Sequence, residues 1–407
     1  MTRRRAQVIV LVCAITWILF SSFVAPSIIQ SAYQGRSYGI LNQMISGRSA
    51  HPAEFYLRRW SVTSWTALAV AMAMLFPIVS FSRERLVRLW RNYWFPPTPL
   101  VYLALVRIIA VGTQLGVMLL PRGYKLRYFG DLAALPDSMY KPLPALQLFL
   151  FPFGLDARPS FELLTIIYWV TAVAGISSLL GLKSRLSLLV FAAGSTFLEA
   201  FKYSFGDLHH REALMIVTLW LLVLAPAGRV LSLDSYFAAR NSPFGRRLLK
   251  KSIFAAWPLL LIQNLLGLVY LDAALRKLYA GGLDWVNGYT LQYYLYSDAS
   301  ERGSEFGLWL ARQHTMACIL SWITILWEGT FFLLVIFPRL VWLYLPLGIG
   351  LHVGMAIAGV ASFPQFMALY AAFIPLLWNY GGRAVAMKWR AYREGLVTKT
   401  PARVGAA

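Results

Sequence analysis

The stretch Tyr270-Leu271-Asp272-Ala273-Ala274-Leu275-Arg276-Lys277-Leu278 closes a long apolar run and leads into Asp284-Trp285-Val286-Asn287-Gly288-Tyr289. Gln263, Tyr270 and Lys277 recur every seven residues. On a helix they form one polar face, with Gly267 and Ala274 between them, and that face ought to turn to the interior of a bundle. Asp272 and Arg276 stand four apart and can pair with each other, which leaves Lys277 without an adjacent counter-ion. A lysine in a partly desolvated place has its neutral amine favoured, and a neutral amine can take a proton. The plainer reading is that Lys277 ends a span by reaching its ammonium to the interface.

Other polar groups interrupt apolar runs, where each is costly and so a candidate for function. His209 and His210 stand beside Asp207, Arg211 and Glu212 at the mouth of a run. They either share a pocket with Lys277 or are exposed interfacial histidines. Glu199, Glu328 and His352 lie within runs, and Arg107 is a candidate buried partner for either acid, as a structural ion pair. Gly350, Gly354 and Ala358 are spaced for close helix packing, so His352 either bonds across a tight contact or lines a cavity. The two cysteines, Cys13 and Cys318, fall in apolar runs without metal-type spacing and read as buried free thiols. No Walker loop, dinucleotide glycine motif, HExxH or GxSxG occurs. With no paired His, Cys and carboxylate spacing, no metal is expected.

These groups need elements to hold them. The 407 residues are 58% hydrophobic and only 14% charged, against about a quarter charged in soluble domains. Apolar runs of about 18 to 25 residues recur, each able to cross the hydrocarbon as a helix. The fold class expected is therefore an all-α polytopic membrane bundle of about ten spans, near 6–32, 60–81, 98–120, 162–182, 186–203, 211–230, 253–279, 315–337, 340–361 and 363–379. The first run follows Thr2-Arg3-Arg4-Arg5 and reads as a retained anchor rather than a removed signal peptide.

The net charge of +21 would suggest nucleic acid for a soluble protein. Here the basic residues sit between apolar runs, so the expected partners are membrane lipids and not nucleic acid. The larger share of the 38 basic residues falls on one set of connections, where only Glu84, Asp234 and Glu394 are acidic. The rule that positive loops stay inside then places both termini in the cytoplasm of a multi-pass plasma or inner membrane protein. Residues 121–161 and 280–314 become outer caps. Residues 83–97 mix Arg with Trp and Tyr as an in-plane helix or linker would. The chain thus divides into a two-span extension with its basic linker (1–97), a main membrane domain (98–380) and a basic tail (381–407).

RKLYAGGLDWVNGY resembles the lysine-containing stretch of vitamin K-dependent γ-glutamyl carboxylase, in which a basic pair with a leucine precedes Asp-Trp-Val, one residue and Gly-Tyr. The resemblance extends to the HTTM family of bacterial membrane proteins and covers about residues 98–380. Four more stretches match in order: ALVRIIAVG, DLHHREALMIVTLWLLVLAPAGRVLSLD, LWEGTFFLLVIFPR and LHVGMAIAGVASFPQFMALYAAFIPL. It implies a quinol- and O₂-dependent enzyme. Lys277 would deprotonate a reduced quinone of the vitamin K or menaquinol type, O₂ would add, and the resulting alkoxide would take a proton from a secreted peptide or protein at the outer face. His209 or His210 would assist the carbanion, and Trp285, Tyr289, Tyr270 and His352 would line the quinone site. The carboxylase's large extracytoplasmic domain has no counterpart here, and the family also includes a membrane factor that helps to mature a secreted peptide. A non-catalytic maturation role or a lipid or small-molecule carrier is the alternative.

Overall fold

The computed structural model describes residues 3–34, 52–119, 126–154, 157–206, 212–238, 248 and 250–382. They are almost wholly helical and fall into two compact units that divide between Trp94 and Phe95.

In the first unit α1 (Arg3–Leu19) passes through a π-helical turn, Phe20–Val24, into α2 (Ala25–Tyr33). In π register the Ser21 carbonyl would take its bond from residue 26, which is proline and has no N–H. The indole of Trp60, on α3 (Ala53–Ser80), donates to that carbonyl instead, at 3.3 Å. Trp17 repays the contact by donating to the Ser64 carbonyl at 3.2 Å, so α3 runs back along α1. The basic, aromatic stretch after it forms α4 (Arg83–Trp94).

The second unit is built from α5 (Leu100–Leu119), α6 (Phe161–Leu180), α7 (Ser184–Tyr203), α8 (Ala213–Leu224), α9 (Ala256–Gly281), α10 (Tyr289–Arg302), α11 (Glu305–Ala311), α12 (His314–Thr330), α13 (Val341–Ile357) and α14 (Pro364–Leu369). A two-residue antiparallel pairing of Thr98–Pro99 with Lys251–Ser252 brings the starts of α5 and α9 together. Helix α5 lies at the centre of the core, with Leu103, Ala104, Val106, Ala110 and Val111 fully enclosed. Small residues let its neighbours close in. A side chain at Gly175 would meet Phe191 at 2.7 Å and Leu115 at 2.9 Å, and one at Gly194 would run into Thr171.

Among the described residues, six helical segments are long and apolar enough to cross a membrane: Gln7–Ser31, Leu100–Leu119, Phe161–Leu180, Ser184–Tyr203, Ile253–Asn287 and Pro338–Ile357. The chain is an integral membrane protein. The remaining runs read from the sequence differ in form. Residues 53–80 are one helix, whereas α8 has only 12 residues and α12 ends after 17. The last run breaks into α14, a 3-10 turn and further short pieces. The expected count of ten rested on apolar length, which does not register where a helix stops.

The turn between α6 and α7 shows how the family-like stretches work together. Gly181 takes φ +70° and closes α6, with Leu182 N–H donating to the Ser177 carbonyl at 2.9 Å. Asp234 then caps α7: it accepts from the Lys183 N–H at 2.8 Å and from the Ser184 N–H and hydroxyl, both at 2.7 Å. Burial works against the Asp234 charge, but these donors and the Arg107 guanidinium outweigh it and hold the carboxyl below its ordinary range. Arg107 is fully buried and donates to the carbonyls of Ala227, at 3.3 Å, and Leu231, at 2.5 Å. It therefore does not pair with Glu199 or Glu328. Its hydrogen bonds go to the loop that delivers Asp234.

Candidate functional site

Helix α9 carries the stripe Gln263, Tyr270, Lys277 on its packed side. Gln263 donates to the Ala372 carbonyl at 2.7 Å and is almost fully enclosed. Tyr270, two turns on, is equally buried, and its hydroxyl lies 2.8 Å from His352 Nε2 and 2.9 Å from the Tyr370 hydroxyl. Trp327, Phe331 and Phe366 surround the Tyr270 ring at centroid distances of 4.6, 4.8 and 5.7 Å, and Phe363 lies 5.6 Å from the His352 ring. His352 thus reaches the stripe from α13, and its Nδ1 is buried with no hydrogen-bond partner among the described residues. Such an atom costs on the order of 1–3 kcal/mol if left unsatisfied. A ligand hydroxyl would relieve it.

Two turns beyond Tyr270, about 10 Å along the axis, Lys277 meets Glu328 of α12. Its ammonium lies 2.6 Å from Oε1 and is also bonded to Oε2. This corrects the expectation of a lysine without a counter-ion. The partner lies 51 residues away on another helix, out of reach of any local spacing rule. The Trp285 ring covers the ammonium from another side, at 5.1 Å to the centroid. Asp272 and Arg276 pair at 2.6 Å on the exposed side of α9. Tyr289 is elsewhere, mostly exposed and laid against His314.

The tight glycine contact on α13 is also displaced from the expected pattern. Gly350 and Gly354 have nothing within 4 Å of where a side chain would begin. At Gly348 an added carbon would strike Trp327 and come within 2.6 Å of the Tyr370 hydroxyl. Gly348 therefore lets α13 settle against the aromatic group that encloses Tyr270 and His352.

Glu199 belongs to a second buried polar group. Gln114 donates to its Oε1 at 3.4 Å, and Lys202 reaches its Oε2 at 3.2 Å and Glu212 Oε1 at 3.4 Å. The Tyr203 hydroxyl donates to the other oxygen of Glu212. The Lys202 side chain is only 3% exposed, and it was not singled out from the sequence. An i, i+3 pairing with Glu199 was the available signal. His209 and His210 follow in the chain but lie outside the described residues. Tyr370 was also missed, since its partner Tyr270 stands 100 residues away on another helix.

The profile of the HTTM domain matches residues 137–378. No curated protein and no solved structure matches the chain. The matched residues contain Tyr270, Lys277, Glu328, His352 and Tyr370, while α5 with Arg107 precedes them. Because the match takes in more than half of the 407 residues, the chain belongs to the HTTM domain family.

Proposed function

We propose that this protein is a quinol-dependent membrane enzyme of the γ-glutamyl carboxylase type, with Lys277 and Glu328 as its proton-accepting couple. The observation that carries the reading is the Lys277–Glu328 contact, 2.6 Å at Oε1, placed on the same helix face as the buried Tyr270. With the proton on Glu328, Lys277 is a neutral amine and can take a hydroxyl proton.

The residues present fit a hydroquinone. The unpartnered His352 Nδ1 can accept from a ring hydroxyl, and Trp327, Phe363 and Phe366 supply faces for a flat ring. Bound there, a quinol would supply reducing electrons and, with O₂, the strong base that carbon deprotonation requires. The chain's own part is to hold the ring, exclude water and accept the first proton. The substrate would be a secreted peptide or protein approaching from the outer face, in a ten-crossing topology with both termini cytoplasmic.

Purified protein supplied with reduced menaquinone tests this. Lys277→Arg should keep the contact with Glu328 but lose at least a hundredfold in quinol oxidation, since arginine stays protonated. Wild-type turnover in Lys277→Arg would make the pair purely structural.

A further inference from the structure

Apart from the Lys277 pair, a second set of reactive side chains gathers where the segment after α9 folds onto the start of α12. Gly288 allows this, at φ +88°. A side chain there would meet Cys318 at Sγ, 2.7 Å away, and at its backbone nitrogen, 2.8 Å away. Glycine thus lets the preceding carbonyl, that of Asn287, accept from the Cys318 thiol at 2.9 Å. His314 is one helical turn before Cys318, with Nε2 3.6 Å from Sγ. Its other nitrogen, Nδ1, is 2.7 Å from Oε1 of Gln292 on α10.

The direction of these bonds is determined. Gln292 Nε2 donates to the Ala311 carbonyl at 2.7 Å, so its amide oxygen is the atom that faces the histidine. An oxygen can only accept, so Nδ1 carries the hydrogen in the neutral ring. The lone pair of Nε2 is left toward the thiol. The Tyr289 ring, 4.5 Å away between centroids, holds the imidazole plane. A nucleophile, a base and a group that orients the base therefore stand in one chain of contacts. The sequence reading of a buried free thiol does not hold, since Cys318 is half-exposed and His314 exposed. Met316 and Ile319, beside the thiol in sequence, are 51% and 53% exposed. In a membrane protein such faces meet acyl chains, so the molecule best able to reach the thiol carries one.

We propose that Cys318, His314 and Gln292 form an acyl-accepting site that takes a long-chain acyl group from a thioester. His314 Nε2 removes the thiol proton and Sγ attacks the acyl carbonyl. A new carbon–sulfur bond forms, the donor's carbon–sulfur bond breaks, and the departing thiolate takes the proton back from the imidazolium. Gln292 is a positioning residue that acts through His314.

The test uses the full chain in lipid nanodiscs with palmitoyl-coenzyme A, following acylation of each cysteine by peptide mass spectrometry. Cys13, a free cysteine on α1 with no histidine contact among the described residues, is the internal reference. Cys318 should be acylated at least tenfold faster than Cys13, and His314→Gln should bring it down to the Cys13 rate. Gln292→Leu should slow it severalfold, with Gln292→Glu, which keeps an oxygen toward Nδ1, restoring the rate. Equal rates at the two cysteines, or an undiminished rate in His314→Gln, would overturn the proposal. If the His314 variant does not fold, the comparison of the two cysteines in the wild-type protein decides alone.

Discussion

Removing either partner of the Lys277–Glu328 pair should destabilise the protein, and by unequal amounts. Breaking a buried ion pair costs about 3–5 kcal/mol because one charge is stranded, whereas an exposed pair is worth about 0–1 kcal/mol. The Lys277 side chain is 26% exposed and that of Glu328 12%, so the carboxylate stands nearer the buried limit. In Lys277→Ala the enclosed carboxylate loses both of its bonds to the ammonium, at an expected cost of about 3 kcal/mol. In Glu328→Ala the ammonium keeps the Trp285 ring and can swing outward on its stem, which limits the loss to about 1–2 kcal/mol. Replacing both, Lys277→Met with Glu328→Leu, should come close to wild type, because no charge is left to desolvate. Equilibrium unfolding in detergent of the wild type, both single variants and the double variant gives the three differences. A larger loss in Glu328→Ala than in Lys277→Ala, or a double variant as poor as the two losses added, would refute the assignment of a desolvated pair.

Gly348→Ala should cost about 1–3 kcal/mol through overpacking against Trp327 and Tyr370. Gly354→Leu, which faces open space, should melt like wild type, and the reverse order in thermal melts would contradict the packing. Because the Asp234 carboxyl is held below its ordinary range, it should add stability above about pH 4 that is lost as the pH falls through its lowered value. Asp234→Asn should therefore flatten the acid side of a stability–pH curve and cost about 1–2 kcal/mol at neutral pH; an unchanged acid slope would remove Asp234 from that role. Cysteines introduced at Ser138 and Glu301 should react with an impermeant maleimide in intact cells, whereas protection of both would overturn the proposed orientation.

The sequence is most legible where one helix decides the outcome alone. Gln263, Tyr270 and Lys277 share a face because of helical period, and that face is the packed one whichever helices cover it. What the face meets is a matter of docking. Glu328, Tyr370 and His352 come from other helices, and no spacing rule relates them to α9. Arg107 illustrates the same limit from the other side: an arginine in an apolar run had to be satisfied inside the protein, but its acceptors are the backbone carbonyls of Ala227 and Leu231, which any residue type could have supplied. The glycines of α13 went astray for a related reason, since small residues four apart permit a close contact without creating one. Gly348 is the close one because a bulky neighbour, Trp327, happens to lie opposite. His314 and Cys318 were in fact readable, four apart at the start of one helix, and were passed over because an apolar run implies buried thiols. Their reach to Gln292 and the Asn287 carbonyl depends on the backbone turn at Gly288. A single glycine thus converts two unremarkable positions into a thiol–imidazole contact.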